Sequence, residues 1–453
     1  MAQPQPNEVL HSPSHAPAVA GDLRLSRRRF LAGAAVAMAA PYIVPASSRG
    51  ADGRPAPSER TTIGGIGMGS RGTDHFNAFL QFGDTQVLAV CDPYQNKREG
   101  AQKRADARYA DLAGRGQYKG CGAYADFREL LARDDIDAVV IASPENWHAL
   151  QGAAAARAGK DIYGEKALSL TVAEGRALIE TVRRHGRIFQ IGTQQRSSRN
   201  FRFACELARN GYLGKVTTVN VAVPGGRALP VVQPSPVPPG LNYEMWLGPA
   251  PWRPHNDILC SFNWYFVYDF CVGWIQSWGV HHVDIALWGE PRLGQGRIDV
   301  EGTAVFPQEG LANTSITWKV NVTTPDGVRL VFTDDTGQQH GCRFTGDKGW
   351  VHVDRSGIWA EPASLLKVTL RPEDEHLYES ADHHRNFIEC VRSRRDPVAT
   401  VETGHTATTL TIVSDIATRL GRKLTWDWKA EKFVDDDAAN RLLARAMRSP
   451  WSL

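Results

Sequence analysis

Beyond its first 46 residues, this 453-residue chain contains no run of eighteen apolar residues, so nothing there is long enough to cross a bilayer as a helix. Cysteine is sparse and scattered. Seven are present and none forms a C-x-x-C pair, which argues against a zinc ribbon or a dense disulfide framework, and no metal site is expected. An excess of one charge is also lacking. Lys plus Arg is 52 and Asp plus Glu is 49, a formal net of +3. A balance that close gives no electrostatic case for nucleic acid as the main partner. What remains is globular: 42% hydrophobic, 22% charged and 9% aromatic, with 13 Trp. That composition excludes a wholly disordered or collagen-like chain. The length exceeds one ordinary core and predicts two domains with extra segments.

Residues 1–46 read as an address. Ser26-Arg-Arg-Arg-Phe-Leu31 precedes a short, Ala-rich apolar run that ends near Val44-Pro45-Ala46. A basic cluster, a mild apolar core and a small-residue end make a signal peptide, and the Arg pair with Phe-Leu resembles a twin-arginine (Tat) signal. The expected destination is the periplasm or another extracytoplasmic space. Four arginines and two acids leave with this segment, so most of the slight positive charge belongs to it. Residues 47–60, with Gly53, Pro55 and Pro57, read as a linker.

A dinucleotide fold begins at residue 61. Thr61-Thr-Ile-Gly-Gly-Ile66 is β-prone and feeds Gly67-Met68-Gly69-Ser70-Arg71-Gly72, a G-x-G-x-x-G followed by a helical stretch over 73–82. The first glycine permits a tight turn, the second lets backbone approach a pyrophosphate, and the third lets helix and strand pack closely. A second strand, Gln86 to Cys91, ends at Asp92. A carboxylate there can accept both ribose hydroxyls of an adenosine, which favours NAD; Lys97 and Arg98 nearby could pair a phosphate, so NADP stays open. Helices over 126–131, 149–158 and 172–185 alternate with strands over 137–142 and 161–163, giving a doubly wound parallel sheet. Ligands bind beyond the carboxyl ends of such strands. Ser143, Asn146, His148, Glu165 and Lys166 fall at that rim.

The order of motifs is similar to that of the Gfo/Idh/MocA oxidoreductase family over roughly 61–453. The residues that carry the resemblance are the glycine motif, Ala89-Val-Cys-Asp92, Ser143-Pro-Glu-Asn-Trp-His148, Gly164-Glu-Lys166, Gly192-Thr-Gln-Gln-Arg196, Met245-Trp-Leu-Gly-Pro-Ala-Pro251 and Trp278-Gly-Val-His-His-Val-Asp284. The resemblance implies an α/β chain: a Rossmann domain over 61–190, then an α/β domain over 191–453 with a large, mostly antiparallel sheet. It implies an active site between them and hydride transfer between a nicotinamide and a sugar or polyol carbon. Arg196 joins the cofactor-binding set with Gly67, Met68, Gly69, Ser70, Arg71, Gly72, Asp92, Ser143, Asn146, His148, Glu165 and Lys166. Alternating strands over 300–306, 314–322, 328–333 and 349–353, with turns at Pro325-Asp-Gly327 and Gly346-Asp-Lys-Gly349, form the second sheet. Its broad open face suits a homodimer or homotetramer. Helices at 383–387 and 404–420 are expected to return to the first domain, and the tail from Glu431 to wrap a domain or a subunit.

Lys166 can hydrogen-bond a substrate hydroxyl and stabilise an alkoxide. On a helix over 276–288, Ser277, His281, Asp284 and Trp288 share a face. His281 is assigned as general acid/base and Asp284 as its orienter or a contact to substrate hydroxyl. Two departures from the family pattern stand out: Ser277 replaces the usual Asp, and Ala167 replaces the usual Pro after the lysine. The aromatics Trp264, Tyr265, Phe266, Tyr268, Phe270 and Trp274 offer a carbohydrate platform or core packing. Two enzymatic functions follow. One is an exported NAD(P)-dependent oxidoreductase with a tightly held cofactor. The other is an NAD-dependent glycoside hydrolase or lyase that oxidises, eliminates and reduces. A binding module without catalysis is the third reading.

Overall fold

The computed structural model of the protein describes residues 59–453. The expected signal segment 1–46 and all but the end of the expected linker lie outside the described residues. The first layer is a six-stranded, all-parallel sheet in the order β3-β2-β1-β4-β5-β6. Its strands are β1 (Thr61–Ile66), β2 (Thr85–Cys91), β3 (Gly122–Tyr124), β4 (Ala138–Ile141), β5 (Asp161–Gly164) and β6 (Phe189–Ile191). The reason is visible in β4. Val139 and Ile141 join one buried cluster, while Ala138 and Val140 join another on the opposite face. A strand covered by helices on both sides must be apolar throughout. The strand order reverses direction between β1 and β4, which opens a crevice at their carboxyl ends.

Helix Ser70–Gln81 buries His75, Phe76, Phe79 and Leu80 against this sheet. A further helix, Gln95–Arg108, has no counterpart in the sequence reading. It is almost wholly polar and buries only Ala101 and Ala105, one turn apart.

The second sheet has nine strands in the order β13-β12-β11-β7-β10-β9-β8-β14-β15. They are β7 (Val216–Val223), β8 (Arg297–Val305), β9 (Thr317–Thr323), β10 (Arg329–Asp334), β11 (Gly341–Gly346), β12 (Gly349–Val353), β13 (Ile358–Glu361), β14 (Leu424–Asp427) and β15 (Lys432–Phe433). All neighbours are antiparallel except β7 and β10, which run parallel. Register follows the period-2 pattern. Val322 pairs with Val300 on one side and Leu330 on the other, and all three are fully buried. Gly346 pairs with Gly349 across the two-residue turn Asp347-Lys348. Helices Arg199–Arg209, Gly279–Gly289 and Val401–Leu420 cover the apolar face.

Later parts of the chain return to the first layer. Helix His383–Ser393 places Phe387 and Ile388 in the cluster with Phe79 and Tyr163. Helix Val401–Leu420 touches both layers, because Gly404 lets it lie against Ile191 while Leu410 and Val413 pack on the second sheet. The tail lies on the first layer of this same chain. The Trp451 ring packs 4.8 Å from Trp147 and 6.1 Å from Phe127.

Candidate active site

The glycine turn divides its labour. Gly67 has φ +86, and a Cβ there would stand 2.6 Å from the Ser143 backbone nitrogen. A Cβ at Gly72 would stand 1.8 Å from the Gly67 carbonyl oxygen. Both positions are closed by the chain's own packing. A Cβ at Gly69 would meet nothing within 4 Å, so this glycine opens on the cleft. Backbone can be approached there at the amino end of helix Ser70–Gln81, which suits an anion.

The cleft holds roughly 1250 Å³ of empty space. Gly67, Gly69, Ser70, Arg71, Asp92, Ser143, His148, Glu165 and Lys166 line it, with Trp147, Trp246, Phe262, Trp264 and Tyr265. Asp92 is buried, and burial raises its pKa against the pull of Lys97. Its two oxygens accept from the Met68 and Tyr94 backbone N–H groups at 2.7 and 2.8 Å. Each keeps a lone pair for a ribose hydroxyl. Of the two nearby cations only Lys97 faces the cleft, lying over the Tyr94 ring; Arg98 turns back to the Asp92 and Pro93 carbonyls. This donor set fits a dinucleotide: open backbone at Gly69, a helix amino end, and a buried carboxylate where the adenosine ribose would lie.

Several expected cofactor contacts are corrected. The Met68 side chain is buried in the helix-side cluster, and Gly72 serves the turn; neither lines the cleft. Asn146 donates from Nδ2 to the Leu247 carbonyl and also lies outside the lining. His148 reaches the cleft, but both ring nitrogens face carbonyl oxygens of this chain, Ala167 at 2.6 Å and Ser143 at 2.8 Å. No nitrogen is left for a ligand. Arg196 is taken by Asp284, with a two-pronged pair at 2.7 and 2.8 Å, and stacks over Trp288. Both partners are buried. Asp284 is thus hydrogen-bonded to Arg196, where it is expected from the sequence to orient His281 or contact substrate.

At the reacting end, Lys166 Nζ donates to Ser277 Oγ at 2.8 Å and to the Ser277 carbonyl at 3.0 Å. The hydroxyl standing where the family usually has an acid thus anchors the lysine without neutralising it. Lys166 also lies 5.7 Å from the Tyr265 ring centroid. His281 is buried behind it, and its Nδ1 has no protein partner. Burial, then the Lys166 and Arg355 charges, hold its pKa well below the usual imidazole range, so it is neutral at pH 7. Trp278 breaks the expected helix over 276–288 into Trp274–Ser277 and Gly279–Gly289. Of the six aromatics, Trp264 and Tyr265 line the cleft, while Phe266 and Phe270 are core.

Glu145, His75 and His384 escaped the sequence reading of the site. Glu145 lines the cleft with Oε2 buried and unpartnered. His75 Nε2 donates to Glu165 Oε1 at 2.7 Å. Arg71 donates to the same oxygen at 3.0 Å. His384, on helix His383–Ser393, contacts His75 from the far side. The His75 contact had a signal, because positions 71 and 75 are one turn apart on a helix and share a face. Gly192 makes room for the pair, since a Cβ there would stand 2.7 Å from Glu165 Oε1. Among the described residues no cluster of His, Cys, Asp and Glu has the form of a metal site.

Residues 61–193 match an oxidoreductase family's NAD-binding Rossmann fold, and residues 223–453 match that family's C-terminal alpha/beta domain. The chain is 30% identical over 182 residues to a myo-inositol 2-dehydrogenase of Thermotoga maritima, covering 40% of this chain and 47% of that protein. It is 31% identical over 180 residues to an alpha-N-acetylgalactosaminidase of Shewanella oneidensis, covering 38% and 37%. The chain thus spans half or less of the curated relatives it matches. Among solved structures, an aldose-aldose oxidoreductase of Caulobacter crescentus superposes with a TM-score of 0.59 at 18% identity, over 80% of this chain and 99% of that one. The WlbA dehydrogenase of Chromobacterium violaceum, solved with NADH and UDP-GlcNAcA, gives 0.60 at 16% identity, over 81% and 96%. These two share the fold.

Proposed function

The chain belongs to the Gfo/Idh/MocA oxidoreductase family, and from that premise we propose that it is an exported, NAD-dependent oxidoreductase that acts on a hydroxyl-bearing carbon of a sugar, sugar derivative or polyol. The observation that carries this reading is the un-neutralised Lys166 ammonium, held by Ser277 at the rim of a cleft whose other end suits a dinucleotide. NAD, when bound, supplies the hydride acceptor. Lys166 keeps one donor beyond its two bonds to Ser277, enough to orient a hydroxyl and stabilise the alkoxide that forms as the proton leaves. His281, neutral and with its Nδ1 unpartnered, stands behind Lys166 as the candidate acid/base, although burial weakens it as a base and it does not itself line the cleft. Trp264 and Tyr265, stacked at 3.8 Å between ring centroids, form an apolar wall for the C–H face of a sugar. The arginine-rich segment 26–31 supports export by the twin-arginine route. The open face of the second sheet supports a homo-oligomer.

A second reading uses the same residues. The serine at 277 and the likeness to an alpha-N-acetylgalactosaminidase favour glycoside cleavage, in which oxidation acidifies a neighbouring C–H bond and a later reduction restores the sugar. One experiment separates the two. Protein purified folded is scanned in the ultraviolet before and after addition of sugars and of aryl glycosides. Lasting NADH-like absorbance with a free sugar supports the oxidoreductase; release of the aryl group without net absorbance supports the glycosidase. A protein that neither carries nor binds a dinucleotide overturns both.

A further inference from the structure

Glu165 is a buried carboxylate next to Lys166 in the cleft wall. Its Oε2 accepts the Lys166 backbone N–H at 3.2 Å, and its side chain lines the cleft. Its Oε1 accepts from His75 Nε2 at 2.7 Å. The other nitrogen of the same ring, Nδ1, lies 2.7 Å from His384 Nε2. The His75 side chain is 0% exposed, Glu165 6%, and His384 23%. Three titratable groups therefore run in unbroken hydrogen-bond contact from the cleft, through a fully buried ring, to a ring with one edge in water. We propose that Glu165, His75 and His384 form a proton path between the reacting end of the cleft and solvent.

A buried His–Glu pair alone would be explained as packing. The second imidazole, with one edge in water, is what makes a route. The tautomers are set by chemistry: Glu165 accepts, so His75 carries its proton on Nε2, and its Nδ1 accepts the Nε2 proton of His384. The environment keeps the path from freezing into a charged state. Burial, then His75 and His383, pull His384 down to about 4. The hydrogen bond from His75, together with the Arg71 and Lys166 charges, holds Glu165 well below the usual carboxylate range despite its burial. Among the described residues, Arg71, Lys166, Tyr163, His281, Arg355, His383 and Tyr265 face Glu165, Tyr163 lies beside His75, and Tyr163, His383, Asp382 and Arg71 face His384. The Tyr163 ring stacks on His384 at 5.4 Å and fixes its plane.

The bookkeeping closes. For an inward transfer, water gives a proton to His384 Nδ1, the Nε2 proton passes to His75 Nδ1, the His75 Nε2 proton passes to Glu165 Oε1, and Glu165, which lines the cleft, gives its proton to the substrate oxygen there. Each ring gains one proton and loses one, ending as its other neutral tautomer. The reverse sequence returns a proton to water and restores the first tautomers, so no ring need rotate. This rests on the proposed oxidoreductase reading. An enzyme that oxidises one substrate and reduces another on a resident nicotinamide releases one proton and takes up one in each cycle, and the path is reset by its own alternation.

Two measurements on the intact holoenzyme test this. The first does not depend on turnover: exchange of the His75 ring proton with deuterated solvent, followed by nitrogen-edited NMR. His384→Phe keeps the ring stack on Tyr163 and removes the outlet, and should slow that exchange at least about tenfold. The second is the rate of cofactor reduction by substrate. His384→Phe should lower it roughly 100-fold, the low end of the usual range for proton-transfer groups, with a changed solvent isotope effect; His384→Ala should be rescued by added imidazole. Unchanged exchange, or an unchanged rate and isotope effect in His384→Phe, overturns the path. If no sugar reduces the wild-type cofactor, the oxidoreductase reading falls, while the exchange result still decides whether the path exists.

Discussion

A Cβ at Gly72 would stand 1.8 Å from the Gly67 carbonyl oxygen, whereas one at Gly69 would meet no atom of the protein within 4 Å. The two glycines should therefore respond oppositely to the same change. Gly69→Val is expected to leave the thermal midpoint of nucleotide-free protein unaltered and to weaken NAD binding at least about tenfold, a loss of ~1.4 kcal/mol. Gly72→Val is expected to prevent folding. Thermal melting and nucleotide titration of the two variants check this. At this scale much of the site was legible, because strand-end residues of a parallel sheet must share a rim. The glycine turn, Asp92, Ser143, Glu165 and Lys166 all stand there. Arg196 and Asp284 were not legible as a pair. They lie 88 positions apart in sequence, and no local pattern reports a long-range ion pair. Losing the arginine leaves a buried carboxylate without a partner. Arg196→Met should cost about 3–5 kcal/mol of stability while the affinity for NAD, titrated below the melting range, holds.

Two helices each bury a histidine pair: Gly279–Gly289 carries His281 and His282, and His383–Ser393 carries His383 and His384. Burial is the leading cause that holds all four below the ordinary imidazole value, the last two at about 4. In the unfolded chain each would bind a proton below about pH 6.5. The unfolded state then holds more protons than the folded one, so stability falls as pH drops through that value, by up to ~1.4 kcal/mol per pH unit for each histidine. Glu165, whose folded value is depressed, adds a loss of the same sign at lower pH. Denaturant melts from pH 7 to 5 should show this slope, and His282→Phe should flatten it by about one proton. Elements were legible in proportion to their apolar content. Four strands of the first sheet, β1, β2, β4 and β5, were placed to within a residue or two, whereas the short β3 (Gly122–Tyr124) and β6 (Phe189–Ile191) were missed. Helix Gln95–Arg108 shows only an Ala101/Ala105 stripe, and β7 lies in a segment, Val216–Val223, where threonine and asparagine interrupt the apolar positions.

Taken whole, the molecule ties its end to its beginning. Arg445 donates to Glu174 and to the Asp269 carbonyl, Arg448 reaches Glu244 and the Gly248 carbonyl, and Met447, Trp451 and Leu453 pack against the cluster that holds Phe127 and Trp147. Trp147 is also a wall of the cleft. Trp451→Ala should cost about 2 kcal/mol, below the range for a fully buried ring because Trp451 is only half-buried. Removal of residues 445–453 should weaken NAD binding as well, measured by titration alongside the melt. The arrangement also sets a timetable. The nucleotide layer starts at Thr61, yet the Trp451 ring that covers Phe127 and Trp147 is made long after them, and helix His383–Ser393 long after the Phe79 and Tyr163 it covers. That layer stays unfinished until both of these segments have been made. For a protein sent out by the proposed route for folded cargo, nucleotide captured at that moment would be sealed in before departure.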